Sequence, residues 1–395
     1  MAPAPPPAGN QHRPSSNQRR PTGNHQRPFS IEQRPAVNRQ RPSSNPQHPA
    51  GTAPPAVKPP SCSEHAVMKS FAAYFLPPAA LVILVTLGVG LALDRAELDK
   101  LKVYESSFLA IGADSALSTL TTSLQQLRGL IREPAINQAF QAPLPQARTL
   151  MEQHLQTLVY RNPLYDQARW LSATGMELAR VNATPAAPII VPERDLQDKS
   201  ARYYFREAIR LAPGEIYLPP PDLTIEHEVV EVPYKPMIRI AIRLPVVDGR
   251  DQGLLVINYQ AQTLLDHLRR LIPPGHEPHP MLLNPAGYWL LAPDPQDAWG
   301  FMFGRDATLG QRHPQEWARI SAQPDGQLLT PSGLWSWTTI DPARLQQGSV
   351  QVAEAWKLVT HVSAAELWQV RWHLGGPLLL IAAVSLVLLA AGVPF

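Results

Sequence analysis

An α+β chain is predicted, in which a long N-terminal helix carries two antiparallel-sheet modules and two transmembrane helices flank the whole. Three observations predict it. Two uncharged apolar stretches, 71–93 and 377–395, bracket most of the sequence. Apolar residues recur every three and four positions from Leu98 to Ile131. Beyond residue 160, short apolar runs alternate with Gly and Pro turns.

Each apolar stretch is about 20 residues, which as helix spans a hydrocarbon core of roughly 30 Å. The first is too long for a signal-peptide core, and Leu91-Ala92-Leu93-Asp94 is a poor cleavage site, so an uncleaved anchor is expected. Residues 1–70 hold nine Lys and Arg against Glu32 and Glu64, while the remainder is net acidic. Basic residues stay on the cytoplasmic side, so residues 94–372 should be exported. The expected location is the bacterial inner membrane, crossed twice, with the main domain in the periplasm. The only cysteine, Cys62, lies in the tail, so the exported part has no disulfide to rely on.

The tail repeats Arg-Pro every seven residues, at Arg13, Arg20, Arg27, Arg34 and Arg41, with a degenerate His48-Pro49. Proline in every unit and missing apolar a/d positions exclude a coiled coil, so 1–70 reads as disordered. Aromatic residues are almost absent there, and no nucleic-acid partner is expected. Both Met1 and Met68 remain open as the start.

From Asp94 a helix should continue out of the first span, its apolar stripe formed by Leu98, Leu101, Tyr104, Phe108, Ile111, Leu117, Leu120, Leu124, Leu127 and Ile131. Pro134 should stop it. The stripe is either core or the seam of a homodimer. Residues 165–172 and 176–182, joined at Thr174-Gly175, read as a hairpin. A helix over 200–211, strands at 215–218, 237–247 and 254–260, and a helix over 263–271 complete one module, with Asp248-Gly249 as a turn. A smaller module follows: strands at 281–284 and 288–292, a helix near 314–321, a hairpin at Ser332-Gly333 and a strand at 356–362. Helix 364–372 should then pass into the second span. The expected division is 94–140 long helix, 141–272 membrane-distal module and 273–363 membrane-proximal module.

Several of these segments carry a resemblance. The runs from Lys199 to Phe205, Pro213 to Tyr217, Pro221 to Leu223 and Pro233 to Arg239 resemble the distal half of double Cache sensor domains. The segments from Leu282 to Leu290 and from Asp294 to Phe301 resemble the proximal half. The resemblance covers about residues 94–370 and implies two stacked PAS-like modules hung from a long helix, as in bacterial sensor kinases and diguanylate cyclases. It also implies a small molecule in the distal module. The chain as read leaves no room for an effector after the second span, so two expectations stand: a split or truncated receptor whose output passes to a separate cytoplasmic kinase or cyclase, or a fragment of a longer receptor.

Catalytic signatures are lacking: there is no His-Glu-x-x-His, no Gly-x-Ser-x-Gly and no phosphate loop. A non-enzymatic sensor is expected, without cofactor or metal. Glu226-His227-Glu228 and His276-Glu277-Pro278-His279 are the only His/acid clusters, and both read as solvated loops. Arg202 joins a guanidinium, suited to a carboxylate, to nearby aromatic rings. In amino-acid-binding Cache domains a similar helix bears Arg and an aromatic pair, with an Asp elsewhere for the ammonium. That resemblance implies Arg202, Tyr204, Phe205 and Asp222 as ligand-binding residues, with Tyr217 beside them. Lys235 and Arg239, two strand periods apart, face one side of a sheet and add positive charge. The expected ligand is a small carboxylate, of which an amino acid is one form. A periplasmic scaffold without a small-molecule ligand is the alternative.

Overall fold

The structure, a computed structural model, describes residues 63–226, 229–271, 280–345 and 350–392. The Arg-Pro repeats, Cys62, His227, Glu228, the His276–His279 cluster and the last three residues of the second apolar stretch lie outside them.

Helix α1 (Ser63–Arg132) runs unbroken through the first apolar stretch into the long amphipathic segment. It ends where the sequence expects, because Glu133 precedes proline and is forced to an extended conformation (φ −63°, ψ 131°). Pro134 then opens α2 (Pro134–Gln141), and α3 (Leu144–Arg161) follows. These two helices are additions to the expected plan.

The strands begin with β1 (Tyr165–Leu171), β2 (Glu177–Asn182) and β3 (Ile189–Ile190). Helix α4 (Tyr203–Ala208) is shorter than the expected 200–211, because the Asp198 carboxylate accepts from Ser200 N (2.8 Å) and holds a turn there. Then come β4 (Ile216–Leu218), β5 (Asp222–Leu223), β6 (Ile225–Glu226), β7 (Val229–Val230) and β8 (Pro236–Arg243). The little hairpin β9 (Val246–Val247) and β10 (Arg250–Asp251) turns on Asp248 and Gly249, both at positive φ (48° and 74°). Strand β11 (Leu254–Gln260) and α5 (Ala261–Arg270) end this part.

The remainder comprises β12 (Met281–Leu283), β13 (Trp289–Leu291), α6 (Leu309–Arg312), α7 (Pro314–Ala322), β14 (Gly326–Thr330) and β15 (Gly333–Ile340). Strands β16 (Val350–Val352) and β17 (Trp356–Ser363) lead into α8 (Ala364–Gly392). Among the described residues two helical segments are long and apolar enough to cross a membrane, one within α1 and the other at Gly375–Gly392.

Two main sheets result. The larger has strand order β16-β4-β8-β11-β1-β2-β3, with β5 also on β8; the smaller has order β13-β12-β17-β15-β14. Strand β16 departs from the expected division at residue 273: it pairs parallel with β4, Val350 opposite Ile216. A strand from the late part of the chain thus closes the edge of the early sheet.

One face of the larger sheet packs Ala168, Trp170, Ile238, Ile240, Ile242 and Ile257 against Leu120, Leu124 and Leu127 of α1 and Met151 and Leu155 of α3. The period-3.6 stripe of the sequence therefore serves as core over these residues. The other face carries a separate cluster, in which Leu171, Ala241, Leu254 and Val256 meet Tyr204, Phe205 and Ala208 of α4. Gly253 enters β11 at φ 75°, and a Cβ there would strike the Leu171 carbonyl oxygen. Elsewhere α1 meets the smaller sheet: Gln327 Nε2 donates to the Lys102 carbonyl (2.7 Å) and Ser106 Oγ (3.1 Å).

Candidate functional site

Strand register assembles the site. Asn258 lies opposite Gln167 on one side and Arg239 on the other, so these three form one polar row across β1, β11 and β8. The next row in phase is Arg169, Val256 and Ala241. Alternation sends both rows to the α4 face, where the apolar half is roofed by Tyr204 and Phe205 and the polar half stays open to chemistry.

Arg239 is buried and forms an ion pair with Asp222 of β5, which also accepts from Tyr203 Oη at 2.8 Å. Burial pulls the Arg239 pKa below its ordinary value. Burial likewise pushes Tyr203 up to about 12, so its phenol keeps the proton it donates. Arg169 lies 3.2 Å from the Glu177 carboxylate, and its Nη1 donates to Tyr204 Oη at 3.4 Å. Lys199 Nζ donates to Gln197 at 2.5 Å. Arg202, the N-cap residue of α4, makes no ion pair among the described residues. The cavity these groups enclose is about 30 Å3 and is lined by Arg169, Lys199, Arg202, Asp222, Arg239 and Asn258, among others.

Of the residues expected from sequence, Arg202, Tyr204, Asp222 and Arg239 come together here. Phe205 and Tyr217 do not line the cavity. Phe205 is one helical step of about 100° beyond Tyr204, and both it and Tyr217 are in the apolar cluster over Leu254 and Val256. Lys235 is not a lining residue either; it stands just before β8, half-exposed, and pairs with Glu231 at 2.5 Å. Arg169, Lys199, Tyr203 and Asn258 were not anticipated. For Arg169 the signal existed, since Gln167 and Arg169 alternate with Ala168 and Trp170. Tyr203 and Asn258 meet Asp222 and Arg239 only through long-range pairing.

A second cavity, of about 370 Å3, lies against the smaller sheet between Trp289, Trp335 and the start of α8. Among the described residues no group of three or more His, Cys, Asp or Glu could hold a metal ion.

A long helix bearing a larger and a smaller antiparallel-rich sheet, with a charged site under a short helix, defines a Cache-type sensor domain. The chain belongs to the bacterial histidine kinase sensor domain family, whose profile matches residues 117–348. Among solved structures it is similar to a domain of a protein assigned to the sensory box/GGDEF family from Vibrio parahaemolyticus (TM-score 0.59, 20% identity, covering 68% of this chain and 98% of that one). It is also similar to the extracellular domain assigned to a histidine kinase, vpHK1S-Z8 (TM-score 0.52, 21% identity, 67% and 95% covered). A fainter likeness is to the ligand-binding domain of the Pseudomonas aeruginosa amino-acid chemoreceptor PctC, solved with GABA (TM-score 0.43, 14% identity, 67% and 100% covered). At these identities the likeness is one of fold. No curated protein matches.

Proposed function

We propose that this chain is the extracytoplasmic sensing part of a two-pass bacterial membrane receptor, and that its larger-sheet module binds a small carboxylate-bearing metabolite, an amino acid being one form. The observation that carries this reading is the guanidinium of Arg202, which has no ion pair among the described residues and lies beside the buried Arg239–Asp222–Tyr203 group. A ligand carboxylate would take the place Asp222 holds on Arg239 and reach Arg202 as well. Asp222, released, would accept from a ligand ammonium. Domain limits of 141–272 and 273–363, with β16 joined to the first, complete the proposal, as do a homodimer and output through a cytoplasmic kinase or cyclase.

A 30 Å3 cavity has room for roughly two waters. That favours one other reading, in which the site is filled by its own side chains and the chain is an interaction protein. One measurement separates the two. The full chain in lipid nanodiscs is melted against a panel of amino acids and small dicarboxylates. Ligand at 100 times its dissociation constant adds about 2.7 kcal/mol, which for a domain of this size is roughly 5 to 10 °C. Arg202→Ala should abolish the shift while leaving the unliganded melting temperature nearly unchanged. A hit whose shift survives in the variant removes Arg202 from the site, and no hit at all supports the scaffold.

A further inference from the structure

A third cavity, of about 430 Å3, lies between α1 and the 3-10 turn Pro342–Leu345 that follows β15. We propose that it is a site for a small multivalent oxyanion, a phosphoryl compound or a polycarboxylate, independent of the carboxylate site under α4. Its volume falls within the roughly 300–1,000 Å3 of small-molecule sites.

Helical spacing builds one wall. Thr121, Gln125, Arg128 and Arg132 follow one another at steps of four, three and four, so they share a face of α1 and line the cavity together. Arg344 joins them from the 3-10 turn. Thr121 spends its hydroxyl proton on the Leu117 carbonyl at 2.8 Å, so the donors offered to a ligand come from Gln125, Arg132 and Arg344.

Charge points to an anion. Three arginines line the cavity and no acidic residue does. Arg128 and Arg132 are a like-charged pair four apart on a helix, an arrangement that repels. Neither Arg132 nor Arg344 forms an ion pair among the described residues. The carboxylates nearest to them in sequence are engaged elsewhere. Glu133 faces His154 Nδ1 at 3.7 Å, and Asp341 Oδ1 accepts from Ala343 N at 3.0 Å. An oxyanion with two or more negative charges would supply the missing counter-charge, and guanidinium forks fit phosphate and carboxylate oxygens alike.

Gly129 is a second, independent observation. It lines the cavity from within α1, where glycine is a poorer helix former than any residue but proline. No packing demands it, because a Cβ placed there would meet nothing within 4 Å. The missing side chain keeps room beside Gln125 and Arg132, its neighbours four before and three after on the helix. Position adds consequence. The 3-10 turn leads from β15 of the smaller sheet toward β16 on the edge of the larger one, so an anion shared by Arg344 and α1 would tie that crossover to the long helix.

The test is calorimetric titration of the full chain, in nanodiscs of zwitterionic lipid at constant ionic strength, with sodium pyrophosphate and with sodium citrate; sodium acetate is the monovalent control. Saturable binding of one anion per chain is expected for at least one of the first two, and the one that binds separates a phosphoryl from a polycarboxylate ligand. Arg344→Gln, at an exposed position, should weaken that binding on the order of tenfold. Gly129→Leu keeps every charge and improves the helix, so it should melt no lower than the unmodified chain, yet lose affinity on the order of tenfold or more because the leucine fills the cavity. Diffuse attraction to a basic surface would survive Gly129→Leu, and that result overturns the proposal. So does the absence of saturable binding of both multivalent anions, acetate binding as tightly as they do, or equal affinity in Arg344→Gln. Binding abolished by Arg202→Ala and kept in Arg344→Gln would place the anion under α4, which overturns this site and leaves the carboxylate site standing.

Discussion

Arg239 and Asp222 make the pair with most at stake among individual residues, because both are largely removed from water and each is the other's counter-charge. Removing one partner of such a pair leaves a buried charge uncompensated and costs about 3 to 5 kcal/mol. Asp222→Ala should therefore lower the melting temperature by roughly 10 °C. Replacing both, as Asp222→Ala with Arg239→Met, should recover most of that loss, and thermal melts of the two variants check it. A second residue gives a pH dependence. The folded-state pKa of His361 is depressed by burial, so between that value and the ordinary 6.5 the unfolded chain binds more protons than the folded one. The contribution of His361 to stability is complete above pH 6.5 and declines as pH falls below it. Melting at pH 7.5 and 5.5 should show a smaller drop for His361→Gln than for the unmodified chain. At this scale the sequence was half-legible. Arg202 and Asp222 stood in motif segments, and Arg239 followed from strand parity, but Asn258 acquires its role only when β11 pairs with β8, and Tyr203 only when α4 packs beside β5. Phe205 stands outside the cavity because helical phase rotates it onto the apolar half of the sheet.

Among the elements, those set by local pattern were readable. The β1–β2 hairpin, the Asp248-Gly249 turn and the stop at Pro134 follow from Gly, Asp and Pro backbone preferences, which need no tertiary information. Helices α2 and α3 were missed because the Pro134 and Pro143 that open them read as breaks, although proline suits a first helical turn. Strand β16 was missed for a different reason. Three residues, Val350–Val352, carry no period to detect, and the partner is more than a hundred positions away. The pairing is extended by Ala353 N, which donates to the Leu218 carbonyl at 3.0 Å. Leu218 is buried, so Ala353→Pro removes the donor and leaves that carbonyl unpaired, at about 1 to 3 kcal/mol. Hydrogen exchange should show the loss confined first to β4 and β16. Equal protection of 216–218 in both proteins would mean the pairing is not formed in solution.

For the whole molecule, the two ends of the folded region converge: Arg371 Nε of α8 lies 2.5 Å from Asp94 Oδ1 of α1, just outside the apolar stretches. Trp368 and Trp372 stack nearby at 6.2 Å and stay exposed, as aromatic residues do at a bilayer interface. With the charge asymmetry of the sequence this predicts an exported central region. Alkaline phosphatase fused after residue 200 should be active and one fused at residue 60 inactive; the opposite result would reverse the topology. Strand β16 has a further consequence, for recombination. The larger sheet is assembled from two separate lengths of chain, so it is not a cassette that a single pair of cuts can lift out. A graft of residues 141–272 into another receptor would arrive without its last strand, with the backbone donors and acceptors of β4 bare and ready to recruit a strand from a neighbouring molecule. Crossovers that preserve this architecture have to travel in pairs, one before β1 and the other after β17, so the smaller sheet is inherited with the larger one.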